Sequence, residues 1–140
     1  MGKIKILHII KSLGRGGAEM LLPETLKLHS KNDLEFHYIY FLPWKDQMVK
    51  VIEANGGRVT CLHARDNIRI LFQMSKIIRY CNKHKIDIIH CHLPWAGFIG
   101  RLSFKKMDIP VIYTEHNMQE RYHPVTKFIN KYTFNHQTLA

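Results

Sequence analysis

Cysteine is nearly missing from this chain. Only Cys61, Cys81 and Cys91 occur, an odd number with no CxxC spacing, so neither a disulfide framework nor a zinc ribbon is expected. A reducing compartment fits that usage. Long apolar runs are missing as well: no stretch approaches the roughly 18 uninterrupted apolar residues of a membrane-spanning helix. The opening "MGKIKILHII" is interrupted by His8, halted by Lys11 and followed by no small-residue cleavage site, which argues against a signal peptide. Ile6 stands where N-myristoylation would need Ser or Thr. Acidic residues are few, 11 against 21 Lys and Arg, for a formal charge of +10. That excess predicts an anionic partner without choosing among phosphate, nucleic acid and acidic lipid. No recognised nucleic-acid module accompanies it, so nucleic acid is not expected. Repeats and low-complexity segments are absent too.

What is present is an alternation of β-branched apolar runs and helical patterns in 140 residues, enough for one core. Strands are predicted at Lys3 to Ile10, Leu34 to Phe41, Arg58 to His63, Ile86 to His92 and Pro110 to His116. Helices are predicted at Gly17 to Ser30, Asp46 to Asn55, Ile68 to His84 and Trp95 to Met107, with a last one at Val125 to Leu139 after a loop from Asn117 to Pro124. This alternation predicts an α/β fold with a mostly parallel five-stranded sheet and helices on both faces; the order is taken as 3-2-1-4-5, that of a Rossmann-like three-layer sandwich. "IKILHII" and "IDIIH" are nearly continuous apolar runs, as central parallel strands should be. In the third helix Ile68, Leu71, Phe72, Ser75 and Ile78 predict one buried stripe, leaving Arg69, Lys76, Arg79 and Lys83 on a basic outer face. That face is either a solvated helix back or a contact for membrane or partner. Pro23 lies inside the first helical pattern, where it predicts a kink or a helix that starts nearer to it. No further strand follows the last helical pattern, so the domain is expected to be part of something larger.

In an open parallel sheet, ligands bind beyond the carboxyl ends of the strands, where the strand order reverses. That rule brings together three segments. Gly14, Gly16 and Gly17 follow the first strand and precede a helix, an arrangement that suits a phosphate or diphosphate, or simply a tight turn. The dinucleotide fingerprint fails, since Glu19 stands at its third glycine and the second strand ends without an acid; the P-loop fails because Ala18 follows Gly17. His90 and His92 share one side of the fourth strand. They would form a metal pair only with a third ligand such as His116 or Glu115; the other reading packs one of them inside and lets His92 reach the cleft. His116, closing the fifth strand opposite the glycine loop, is the stronger candidate. Gly97 and Gly100 in "AGFIGRL" leave room either for close packing or for a substrate.

"GGAE" after the first strand, "DIIHCHLPWAGFIGRL" around the fourth and "PVIYTEHN" at the fifth resemble, in order and spacing, the N-terminal domain of glycosyltransferase family 4, retaining enzymes of the two-domain GT-B fold. The resemblance covers nearly the whole chain. It implies that Gly16 and Gly17 face the diphosphate of a nucleotide-sugar donor and that His116 lies beside the transferred sugar as the catalytic residue. Glu19, His92, Glu115 and Asn117 are the acceptor or cleft candidates. No cofactor and no metal at the diphosphate are implied; backbone amides and cationic side chains stabilise the leaving charge instead. The C-terminal donor-binding domain is absent from the chain and would be supplied in cis or in trans, so residues 1–140 alone are expected to be inactive. The expected partners are a nucleotide-sugar donor, a glycan or lipid-linked acceptor and an anionic membrane surface, with a cytoplasmic location, peripheral on the inner face of the membrane. The competing reading is a non-catalytic basic module that binds anionic lipid or a partner subunit.

Overall fold

The computed structural model describes residues 2–29, 33–104, 107–116 and 123–133. Its elements run β1 (Ile4–Ile10), α1 (Gly17–His29), β2 (Leu34–Tyr40), α2 (Val49–Ala54), β3 (Arg58–Cys61), α3 (Asn67–Leu71), α4 (Met74–His84), β4 (Ile88–His92), α5 (Pro94–Phe104), β5 (Val111–Thr114) and α6 (Pro124–Thr133). All five strands are parallel, in the order β3-β2-β1-β4-β5. The sheet is thus wholly parallel rather than mostly so, and its order reverses between β1 and β4.

Strand alternation divides the core into two layers. Leu7, Ile9, Ile39, Ile89, Cys91 and Val111 point to one face, where Ile70, Ile77, Ala96 and Ile99 of α3, α4 and α5 close over them. Ile10, Phe36, Tyr38 and Tyr40 point to the other, under Ala18, Leu22 and Leu26 of α1 and Ile52 of α2. Crossovers leading toward β3 therefore lie on one face and those leading toward β5 on the other, as right-handed connections require.

The predicted third helix is two helices. An Asp66 carboxylate accepts the Arg69 amide at 2.9 Å and starts α3. The chain then turns at Phe72 and Gln73 before α4 begins. The predicted stripe fails with it: Ile68 is 66% and Phe72 75% exposed, whereas Ile70, Gln73, Ile77 and Cys81 are buried. The turn shifts the helical phase, and a periodicity read across it picks the wrong residues. Arg69, Lys76, Arg79 and Lys83 do lie exposed on the outside. Helix α1 begins at Gly17 rather than near Pro23 and stays helical through that buried proline. Helix α2 ends as expected, with Gly56 at φ +90° and the Gly56 and Gly57 amides bonded back to the Glu53 and Ile52 carbonyls.

Glycines 97 and 100 serve packing. A Cβ at Gly97 would come within 2.7 Å of the Tyr113 ring, and one at Gly100 within 2.2 Å of Cys91 Sγ. Missing side chains here let α5 sit against the sheet. One turn on from Gly97, α5 carries Arg101, which is fully buried. Its Nη1 donates to Asn130 Oδ1 at 2.6 Å and to Thr133 Oγ1 at 3.2 Å, docking α6, while its Cζ lies 4.3 Å from the Tyr113 ring centre.

Candidate functional site at the carboxyl edge of the sheet

The three segments singled out by sequence meet, the one after the fourth strand through Leu93. A hollow of about 530 Å3 is lined by Gly16, Gly17, Ala18, Glu19, Leu21, Leu93 and His116. The first helical amide of α1 to bond back is Met20, to the Gly16 carbonyl at 3.0 Å. The amides just before it are those an α-helix leaves without an intrahelical partner, and they sit at the positive end of the helix.

The glycines of that loop differ in purpose. A Cβ at Gly17 would meet nothing within 4 Å, so position 17 is open to the hollow. A Cβ at Gly16 would fall 2.2 Å from Glu19 Oε2. Glu19 folds back over the loop, where Ser12 Oγ donates to its Oε1 at 2.9 Å. A carboxylate at a helix start is favourable by about 0.3–1 kcal/mol at an exposed site. Glu19 thus orders the loop and places a negative charge at the rim. Gly14 needs no clearance, since its Cβ would make ordinary contact with Gln47.

His116 lies two residues beyond the end of β5 rather than closing the strand, half-buried at the wall of the hollow. Alternation carries its ring to the same face as His92, and His92 Nδ1 faces His116 Nε2 at 3.2 Å. His92 is not in that lining; with His8, His90 and His116 it lines an adjoining hollow of about 370 Å3 beside α1. It is 5% exposed and stands behind His116, with its Nε2 facing His8 Nδ1 at 2.9 Å. His90 is tied by its Nε2 to Thr114 Oγ1 at 2.7 Å. Glu115 points to the opposite face, where it accepts the Tyr113 hydroxyl at 2.5 Å, and it is not part of the lining. Asn117 falls outside the described residues.

Burial disfavours a charge on three of these rings. It holds His8 down to about 3, His90 to about 4 and His92 to about 2. Neighbouring imidazoles add to the effect, His90 acting on His8 and His116 on His90. His8 is the member that sequence reasoning missed. It looked like an interruption in an apolar strand, and only the pairing of β1 with β4 reveals it. Among the described residues, His8, His90 and His92 are the one group able to hold a metal, with ligand nitrogens within 4.8 Å of one another. Yet the His8 and His92 nitrogens face each other at 2.9 Å, hydrogen-bond geometry rather than lone pairs converging on a third point.

Sequence reasoning missed two more features. Leu93, lining the hollow, has φ 71°. A bulky residue in the left-handed region is rare and costs of order 1–3 kcal/mol. A second hollow of about 530 Å3, beyond β2 and β3, is lined by Trp44, His63, Arg65, Arg69 and Phe72 among others. Trp44 and Phe72 are largely exposed there. No helix among the described residues is long and apolar enough to cross a membrane.

Residues 15–138 match the family model described as Glycosyltransferase Family 4. The chain is 30% identical over 132 residues to the capsular polysaccharide biosynthesis glycosyltransferase CapH of Staphylococcus aureus, covering 91% of this chain and 36% of that protein. Among solved structures, Anabaena Alr3699/HepE in complex with UDP and glucose superposes with a TM-score of 0.74 at 18% identity, over 94% of this chain and 35% of that one. A glycosyltransferase from Rickettsia africae ESF-5 gives 0.73 at 17% identity, over 99% and 36%. These superpositions carry the fold. The chain spans about a third of the length of the proteins it matches.

Proposed function

The chain belongs to Glycosyltransferase Family 4, and from that premise we propose that it is the N-terminal, acceptor-side part of a retaining enzyme that transfers a hexose from a nucleotide-diphosphate sugar to a glycan or lipid-linked glycan. The observation that carries this reading is the single hollow shared by Gly16, Gly17 and His116. UDP and glucose bound to the similarly folded HepE favour a nucleotide-sugar donor, and the likeness to CapH favours a polysaccharide product.

In this reading the open backbone at Gly17 receives the diphosphate, and His116 hydrogen-bonds the transferred sugar. The bond from the anomeric carbon to the diphosphate oxygen breaks, the acceptor oxygen bonds to the same face of the ring, and the acceptor hydroxyl gives its proton to the departing diphosphate oxygen. Backbone amides at the start of α1 and cationic side chains take the charge left on the diphosphate, without a metal ion; one well-placed donor of this kind is worth about 100–1,000-fold in kcat. Glu19, held by Ser12, keeps the loop shaped and the rim electrostatically exacting. The hollow of Trp44, Phe72, Arg65 and Arg69 offers aromatic faces to sugar C–H groups and guanidinium groups to an anionic acceptor. The net charge of +10 suits work at an anionic membrane surface on its cytoplasmic side.

The test is sugar transfer by the full-length protein from nucleotide sugars to extracted glycan and lipid, with the nucleoside diphosphate measured as product. His116→Ala should lower kcat about 100-fold while changing nucleoside-diphosphate affinity less than about threefold. Unaltered turnover in that variant would sink the assignment.

A further inference from the structure

His8, His92 and His116 are joined nitrogen to nitrogen across three strands. In register, His92 stands beside Ile10, two residues on from His8, and Thr114 stands beside His92, two residues short of His116. Each link therefore advances one pleat toward the carboxyl edge. The ring centres are 5.2 and 5.5 Å apart, with interplanar angles of 21° and 25°. Combined with nitrogen separations of 2.9 and 3.2 Å, those values describe rings lying head to tail in nearly one plane, not rings stacked face to face. His90 behaves differently: it lies 4.2 Å from His92, face on, and bonds to Thr114. At the inner end, His8 Nε2 is buried without a partner among the described residues. The near-parallel rings of Phe36 and Tyr38 stand beside His8, at 5.8 and 5.0 Å.

We propose that His8 and His92 are positioning residues for His116, a chain of imidazoles whose closed inner end fixes His116 as the Nδ1–H tautomer. A neutral imidazole has one N–H and one lone pair, so each ring in a line must receive at one nitrogen and donate at the other. Only two directions exist. If His116 donates inward, the last N–H is stranded on His8 Nε2 in the buried layer. If His8 Nδ1–H donates outward, the stranded group is a lone pair, and a buried N–H left without an acceptor is rare in folded proteins. The outward direction gives His92 a protonated Nδ1, which donates to His116 Nε2. His116 is left with Nδ1–H as its second polar group, a donor rather than a base. Burial keeps His8 and His92 neutral, which the single direction requires.

The consequence for sugar transfer rests on the proposed function; the tautomer does not. The experiment uses full-length protein labelled with 15N at histidine, with two-bond proton–nitrogen spectra that report which ring nitrogen carries hydrogen. Wild-type His116 should show a protonated Nδ1 and an unprotonated Nε2. His8→Phe should turn His116 into a mixture of both tautomers although the two rings do not touch, and His90→Phe should leave it unchanged. In the transfer assay, His8→Phe should lower kcat about tenfold with the KM for donor unchanged, the kcat–KM split a positioning role predicts. An Nε2–H tautomer at His116 in the wild type overturns the proposal and needs no variant to fold. So does a His116 signal that ignores His8→Phe, or one equivalent of zinc that shifts His8, His90 and His92 together. A tautomer response without a rate response supports the chain and counts instead against the sugar-transfer reading of the hollow.

Discussion

In the unfolded chain, His8, His90 and His92 each take up a proton near pH 6.5. In the folded protein burial holds them at about 3, 4 and 2. Between those limits the unfolded state binds more protons, so stability is full above about pH 6.5 and falls as pH drops below it. The slope reaches about 1.4 kcal/mol per pH unit for each ring, and so about 4 kcal/mol for the three. Urea unfolding followed at pH 7.5, 6.5 and 5.5 should show this loss before the carboxylates titrate, with His37 and His84, also held low by burial, adding to it, and His8→Phe should make the profile shallower. A flat profile over that window would refute the prediction. At the same scale, the identity of a residue announced its chemistry less well than its neighbour did. Gly16 was legible as a residue without a side chain, but the group needing that space is Glu19, three positions on and folded back. Glu115 was legible as an acid at the correct edge, but one step of the pleat turns it to the far face, beside Tyr113.

Among the elements, α5 shows how close packing is written into a sequence. Gly97 and Gly100 are one face of that helix, and the atoms that exclude a side chain there come from β4 and β5. Gly100→Ala would gain helix propensity of about 1 kcal/mol, but its methyl would overlap Cys91 Sγ, and overpacking of this kind costs about 1–3 kcal/mol. Net destabilisation of up to about 2 kcal/mol by thermal or urea unfolding is expected. Cys91→Ala in the same protein should recover much of it, because the sulfur is the obstruction; purely additive effects would argue against the contact. The elements most legible in sequence were β1 and β4, whose continuous apolar runs match their burial on both faces. The least legible was the segment from Asn67 to His84. There the period of 3.6 persists on both sides of a turn but changes phase at Phe72 and Gln73, so a single helix and a wrong stripe were read from it. Arg101 gave no warning either: a basic residue in an apolar helix acquires meaning only from Asn130 and Thr133, some thirty residues away.

For the molecule as a whole, the proposed function makes the hollow at the edge of the sheet one wall of a cleft. Glycine loop and imidazole come from this chain, which spans about a third of its relatives' length. On the proposed function, residues 1–140 by themselves are expected to show no sugar transfer above background; turnover by the isolated chain would overturn that division of labour. The basic surface belongs to this scale too. Flotation with acidic liposomes, compared with neutral ones, reads out whether +10 serves a membrane, since each basic residue near such a surface contributes about 1 kcal/mol.

The sequence by itself determined the alternation of strands with helical segments and the position of a glycine loop after β1. Those depend on periodicity and on turn residues, which act over a few neighbouring positions. Tertiary structure decided which side chains meet: His8 with His92 and His92 with His116, Ser12 and Gly16 with Glu19, Arg101 with α6. The histidine meetings depend on the register between strands joined by long crossovers, and a shift of one residue would send every one of those rings to the other face; the others depend on how a loop folds back and how two helices pack.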